Sequence, residues 1–74
     1  MNSDVLKGNW KQFRGEVKRK WGQLTDDDLD QVEGEREKLV GKLQERYGKA
    51  REVAMKDVDA FLDEVSRRNF ERKT

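Results

Sequence analysis

Leu6, Trp10, Phe13, Val17 and Trp21 recur at intervals of four, three, four and four, which places all five on one stripe of a helix. The spacing predicts a helix from about residue 4 to 21, with Ser3 as its cap and Asp4 in its first turn. A second stripe runs through Leu29, Val32, Leu39, Leu43 and Tyr47, with Val40 beside it. Thr25 followed by Asp26, Asp27 and Asp28 marks its start, since a hydroxyl cap and three carboxylates suit the positive end of a helix dipole. The stripe stays in approximate phase across Gly34, so one long helix and two shorter ones both fit. A break or kink near Gly34 is the expectation, because a bent pair brings both faces to the same core. A last helix, about 50–68, puts Ala50, Ala54, Val58, Phe61 and Val65 on one face, and no good capping residue precedes it. Residues 69–74 read as a basic tail.

The two stripes are copies of one another. GNWKQFRGEVKRKWG at 8–22 and GEREKLVGKLQERYG at 34–48 superpose at a shift of 26 residues, pairing Gly8 with Gly34, Phe13 with Leu39, Gly15 with Gly41, Val17 with Leu43, Trp21 with Tyr47 and Gly22 with Gly48. Two related helical units, around 4–22 and 30–48, are therefore expected to share one core. Trp10, Phe13, Val17, Trp21, Leu39, Leu43, Tyr47 and Phe61 are its expected members. Gly22 and Gly48 stand just past the last aromatic of each copy, where a left-handed glycine ends a helix. The seven-spaced pairs Gly8 with Gly15 and Gly34 with Gly41 fall on outward faces.

At 74 residues the chain makes one small domain, 1–74, near the lower limit for an unaided core. It has neither Cys nor His, which removes disulfides, thiol nucleophiles, imidazole acid/base pairs and most transition-metal sites. No apolar run exceeds three residues, so neither a signal-peptide core nor membrane insertion is expected. Charged residues make up 45 %, yet 17 basic and 16 acidic side chains nearly cancel. They are segregated: the net charge is +4 over 1–24, −4 over 25–47 and +1 over 48–74. The first helix should accordingly lie against an acidic partner within the chain.

Two patterns suggest chemistry. Asp26, Asp28, Asp30 and Glu37 fall at positions 1, 3, 5 and 12 of a calcium loop, but Gln31 replaces the turn glycine and Glu33 the apolar residue at position 8, so a capped helix start is the better reading and no metal site is assigned. Lys7, Lys11, Arg14 and Lys18 form a basic stripe beside the apolar one that could contact nucleic acid or another anion, with Trp10 or Trp21 stacking on a base. The ordinary reading is a solvated face, with both tryptophans in the core. Carboxylates, lysines, one tyrosine and a few hydroxyls show no paired catalytic arrangement, so neither an enzyme, a cofactor nor a small-molecule substrate is indicated.

KGNWKQFRGEVKRKWGQLTDDDLDQVEGEREKLVGKLQERYG, residues 7–48, resembles the body of the CsbD-like family of small bacterial stress-response proteins, with both glycine-and-aromatic repeats and the LTDDDL between them in register. It is similar in particular to the family's short enterobacterial type. The resemblance implies an all-α fold, a small bundle of three to four helices in a SAM-like arrangement, and a link to general stress regulation without an established activity. It supplies no site residues. The resulting reading is a non-enzymatic cytoplasmic stress-response protein that binds or shields other macromolecules, its partner unknown; a nucleic-acid or anionic-surface module is the alternative. The C-terminal DAFLDEVSRRNFERKT is longer and more basic than the resemblance leads one to expect.

Overall fold

The computed structural model describes the backbone of residues 3–72 and the side chains of residues 6–67. Five helices occur in order: α1 (Ser3–Gly8), α2 (Trp10–Lys20), α3 (Asp26–Val32), α4 (Arg36–Tyr47) and α5 (Arg51–Arg72). The chain is a small all-α bundle of 39 × 23 × 20 Å. The capping roles expected of Ser3 and Asp4 lie outside the described side chains.

One core unites the helices. Leu6, Phe13, Val17, Trp21, Leu24, Leu29, Val32, Leu39, Val40, Leu43, Ala54, Val58, Phe61, Leu62 and Val65 are buried together, with Trp10, Tyr47 and Met55 packed half-buried against them. Six of the eight core residues named from the stripe are thus fully inside. Trp10 and Tyr47 sit at its rim. The Trp21 and Phe61 rings meet at 5.1 Å between centroids, tilted by 56°, and join the end of α2 to the middle of α5.

The expected first helix is two. It breaks at Asn9, whose φ of −122° and ψ of 27° leave the helical region, and whose carbonyl accepts from the amides of Gln12 and Phe13 at 3.0 and 2.9 Å. The bend lets α1 pack on α4 while Leu6 still reaches the core. In the second repeat the chain breaks at the matching place. Val32 ends α3, Glu33 and Gly34 both take positive φ (50° and 80°), and α4 starts at Arg36. Each unit is therefore helix, break, helix.

Gly34 itself is not on an outward face. It is buried, and a Cβ there would come within 2.8 Å of the Lys7 Cα and 3.1 Å of the Trp10 Cβ. The two breaks touch, and only glycine allows the approach. The endings of the repeats also differ from expectation. Gly48 is left-handed (φ 65°) and its amide bonds the Gln44 carbonyl at 3.0 Å, but Gly22 has no positive φ. Trp21 is the cap of α2, with φ −120°. The cause is the next segment of chain: beyond α2 the backbone must turn at once so that Leu24 is buried, and the Leu24 amide closes that turn onto the Trp21 carbonyl at 3.1 Å. The Tyr47 hydroxyl accepts from the Gln23 amide at 3.2 Å and ties the two endings together.

Helix α5 runs past the expected end near 68 to Arg72. No proline or glycine interrupts the sequence after Gly48, and nothing else in it breaks the backbone ladder. Lys73 and Thr74 lie outside the described residues. Ala50 is exposed rather than on the buried face, because α5 begins one residue later and the Ala50 carbonyl accepts from the Ala54 amide at 3.0 Å.

A candidate anion-binding face and its acidic cover

Helix α3 is built to hold charge in place. Thr25 is extended (φ −87°, ψ 168°); its side-chain oxygen accepts from the Asp28 amide at 3.1 Å, and the Asp28 carboxylate accepts from the Thr25 amide at 3.0 Å. This reciprocal capping box satisfies two amides that the first turn leaves open. It also fixes the Asp28 side chain against the core, where it is 1 % exposed.

A buried carboxylate requires partners. Arg46 of α4 supplies them in bidentate form, Nε to Oδ2 at 2.8 Å and NH2 to Oδ1 at 2.9 Å, and the Lys42 ammonium stands 3.5 Å from Oδ1. The Arg46 hydrogen bonds first, then the Thr25 amide, hold the Asp28 carboxyl far below the usual carboxylate range, although burial opposes them. Asp28 in turn pushes the Arg46 guanidinium above its ordinary value. One carboxylate so joins the start of α3 to the end of α4.

On the opposite flank α3 faces α2. Arg14 donates to Asp30 Oδ1 at 2.5 Å and reaches the Asp26 carbonyl at 3.4 Å, while Lys18 donates to Asp26 Oδ1 at 2.7 Å. The hydrogen bond from Lys18, then its charge, lowers the Asp26 carboxyl below its ordinary value. The expectation that the basic first unit lies on the acidic middle segment is met here by named pairs. Both pairs remain open to solvent, with the Asp30 and Asp26 side chains 62 % and 72 % exposed.

The four cations of the stripe therefore divide. Arg14 and Lys18 are engaged by α3, whereas Lys7 and Lys11 are exposed and make no ion pair among the described residues. Trp21 is buried at 4 % exposure, leaving no face for a base; Trp10 is half-buried at the break. The would-be calcium ligands are dispersed in the same way. Asp26 and Asp30 turn to α2 and Asp28 to α4, and no group of three or more acidic side chains converges on a metal-sized site among the described residues.

An open groove of about 480 Å³ is lined by Gln31, Glu33, Lys38, Gly41, Lys42 and Glu45. Its lysines are also paired, Lys38 with Glu35 at 3.3 Å and Lys42 with Asp28 and Glu45. Sequence reasoning missed the Asp28–Arg46 pair. A signal existed: Asp28 stands one helical turn before Val32, hence on the apolar stripe, and three residues after Thr25, as a capping box requires.

The family model described as CsbD-like matches residues 4–56, which takes in α1 from its second residue, α2 to α4 and the first residues of α5. The chain belongs to the CsbD-like family. It is 57 % identical over 61 residues to UPF0337 protein YjbJ of Escherichia coli O6:H1, covering 82 % of this chain and 88 % of that protein. Identity to UPF0337 protein PA4738 of Pseudomonas aeruginosa is 57 % over 65 residues, 88 % of this chain and all of the relative. With the YjbJ of Salmonella typhimurium it is 51 % over 70 residues, 95 % and 96 % of the two chains. Arg14, Lys18, Asp26, Asp28, Asp30 and Arg46 all fall within the CsbD-like match.

Proposed function

We propose that this CsbD-like protein is a non-enzymatic stress-response protein of the cytoplasm that shields other macromolecules through its own folded, heavily hydrated surface. The observation that carries this reading is how the surface is built. Among the described residues Val53, at 48 % exposure, is the large hydrophobic side chain left outside, and much of the surface charge stands in opposite-sign pairs, Arg14 with Asp30, Lys18 with Asp26, Arg36 with Asp59 and Lys49 with Asp57. Such a surface holds water and offers partially unfolded neighbours little apolar area to stick to. The core supports the same role. Every buried side-chain nitrogen or oxygen among the described residues has a partner, and the chain contains no Cys or His to oxidise or titrate near neutrality. None of the described helices is long and apolar enough to cross a membrane.

The test is to dry and rehydrate a sensitive enzyme with increasing amounts of the protein. Retained activity that rises with dose supports shielding; activity no better than in buffer alone refutes it. The pairing of Arg14 and Lys18 with α3 weighs against a constitutive nucleic-acid module, since phosphates would have to compete with carboxylates already in place.

A further inference from the structure

Arg14 and Lys18 are one helical turn apart on α2, and Lys11 lies on the same stripe at i, i+3 and i+7. The axial steps are about 4.5 and 6 Å. A single row of three cations on a convex helix tracks one phosphate chain rather than the two strands of a duplex. In the folded chain two of the three are covered by Asp26 and Asp30, which sit on Lys18 and Arg14 at 2.7 and 2.5 Å. We propose that α3 is an intramolecular stand-in for a nucleic-acid backbone: its two carboxylates occupy the places on Arg14 and Lys18 that the phosphates of a single-stranded nucleic acid would take, so that α2 is a latent single-strand surface held closed by its own chain.

Three features support a cover that can lift without unfolding. Asp26 and Asp30 are mostly exposed, so each contact is screened by salt and open to competition. Their neighbour Asp28, which points the other way into Arg46 and the capping box, keeps α3 anchored whatever α2 binds. Lys7 and Lys11 stand exposed beyond the cover and can make first contact. A latent strand-binding face does not depend on shielding, and the drying assay leaves it untouched.

The experiment is a fluorescence-anisotropy titration of a labelled oligothymidine with the full chain and with Asp26→Asn/Asp30→Asn, both confirmed folded by circular dichroism. Neutralising one single-strand phosphate contributes a salt slope of about −0.7, so each released cation should tighten binding roughly tenfold at 50 mM salt and about threefold at 200 mM. Adding Arg14→Gln and Lys18→Gln to the Asn variant should abolish the gain. Glu37→Gln/Glu52→Gln makes the same change in net charge at carboxylates that pair with neither cation, and it should gain far less. Equal gains from the two neutralised pairs would show general electrostatics and overturn the proposal. So would an unchanged affinity in the Asn variant, or a gain that persists without Arg14 and Lys18. A preference for duplex over single strand would overturn the choice of partner.

Discussion

Replacing Asp28 with Asn deletes one charge from a carboxylate that is 1 % exposed and leaves Arg46 and Lys42 facing a neutral amide. Breaking a buried pair by removing one partner costs about 3–5 kcal/mol. Here the figure falls toward or below the low end, because the Arg46 side chain keeps 42 % exposure and can rehydrate. The Asn oxygen can also still accept from the Thr25 amide. Asp28→Asn should therefore cost about 2 kcal/mol, and Asp28→Ala, which also loses the hydrogen bond from the Thr25 amide while the Thr25 side chain still caps the helix, about 3 kcal/mol, that bond contributing about 1. A 74-residue domain has a total of about 4–11 kcal/mol, so either variant is readily measured. Urea unfolding monitored by fluorescence of Trp21, buried against Phe61, supplies the assay. The pH dependence carries the sharper signature. The folded-state pKa of Asp28 is depressed, so its contribution is complete above the unfolded value of about 3.9 and is lost progressively as the pH falls below it. Wild type should lose stability as the pH falls from about 4 toward 2, and Asp28→Asn should lose measurably less over the same window. An Asn variant within about 0.5 kcal/mol of wild type at pH 7, with an unchanged pH slope, would refute the view that this carboxylate holds α3 to α4.

Other perturbations test the rest of the fold. Phe13→Ala, at 1 % exposure, should cost about 3–5 kcal/mol in the same urea assay. Gly34→Ala should be destabilising by more than the roughly 1 kcal/mol of left-handed strain alone, because its Cβ would also meet the Lys7 backbone, whereas Gly41→Ala, with open space around it, should stabilise by about 0.4–1 kcal/mol; thermal melts read both signs. Gly48→Ala should cost about 1 kcal/mol and Gly22→Ala far less, since Gly48 alone of the two has a positive φ. Calcium at millimolar levels should leave the melting temperature unchanged, because Asp26, Asp28 and Asp30 are committed to Lys18, Arg46 and Arg14.

The helical stripes were legible because burial imposes a period. Phe13, Val17, Trp21, Leu39, Leu43 and Phe61 could be placed in one core from spacing, and Thr25 could be named as a cap. The Asn9 break was hidden because the stripe from Leu6 to Trp21 keeps helical phase across it, so periodicity reports a face without reporting that the backbone bends. Gly34 was misplaced for a related reason. A helical wheel assumes a helix, whereas Gly34 lies in a left-handed turn where the wheel has no meaning. Gly22 and Gly48 match in sequence but not in conformation, since the conformation depends on where the next segment goes. For the candidate site, segment charge was enough to bring α2 and α3 together. Which cation meets which carboxylate depends on rotamers and the angle between helices, which sequence spacing does not contain.

The claim that the folded surface, rather than composition alone, does the shielding is tested most directly by co-drying one sensitive enzyme with equal masses of wild type and of Phe13→Ala at a temperature where only the variant is unfolded. The two proteins differ by one side chain and share every charge. Wild type should preserve activity in proportion to dose, and the unfolded variant, with its core exposed, should preserve markedly less. Equal protection by both would contradict the account.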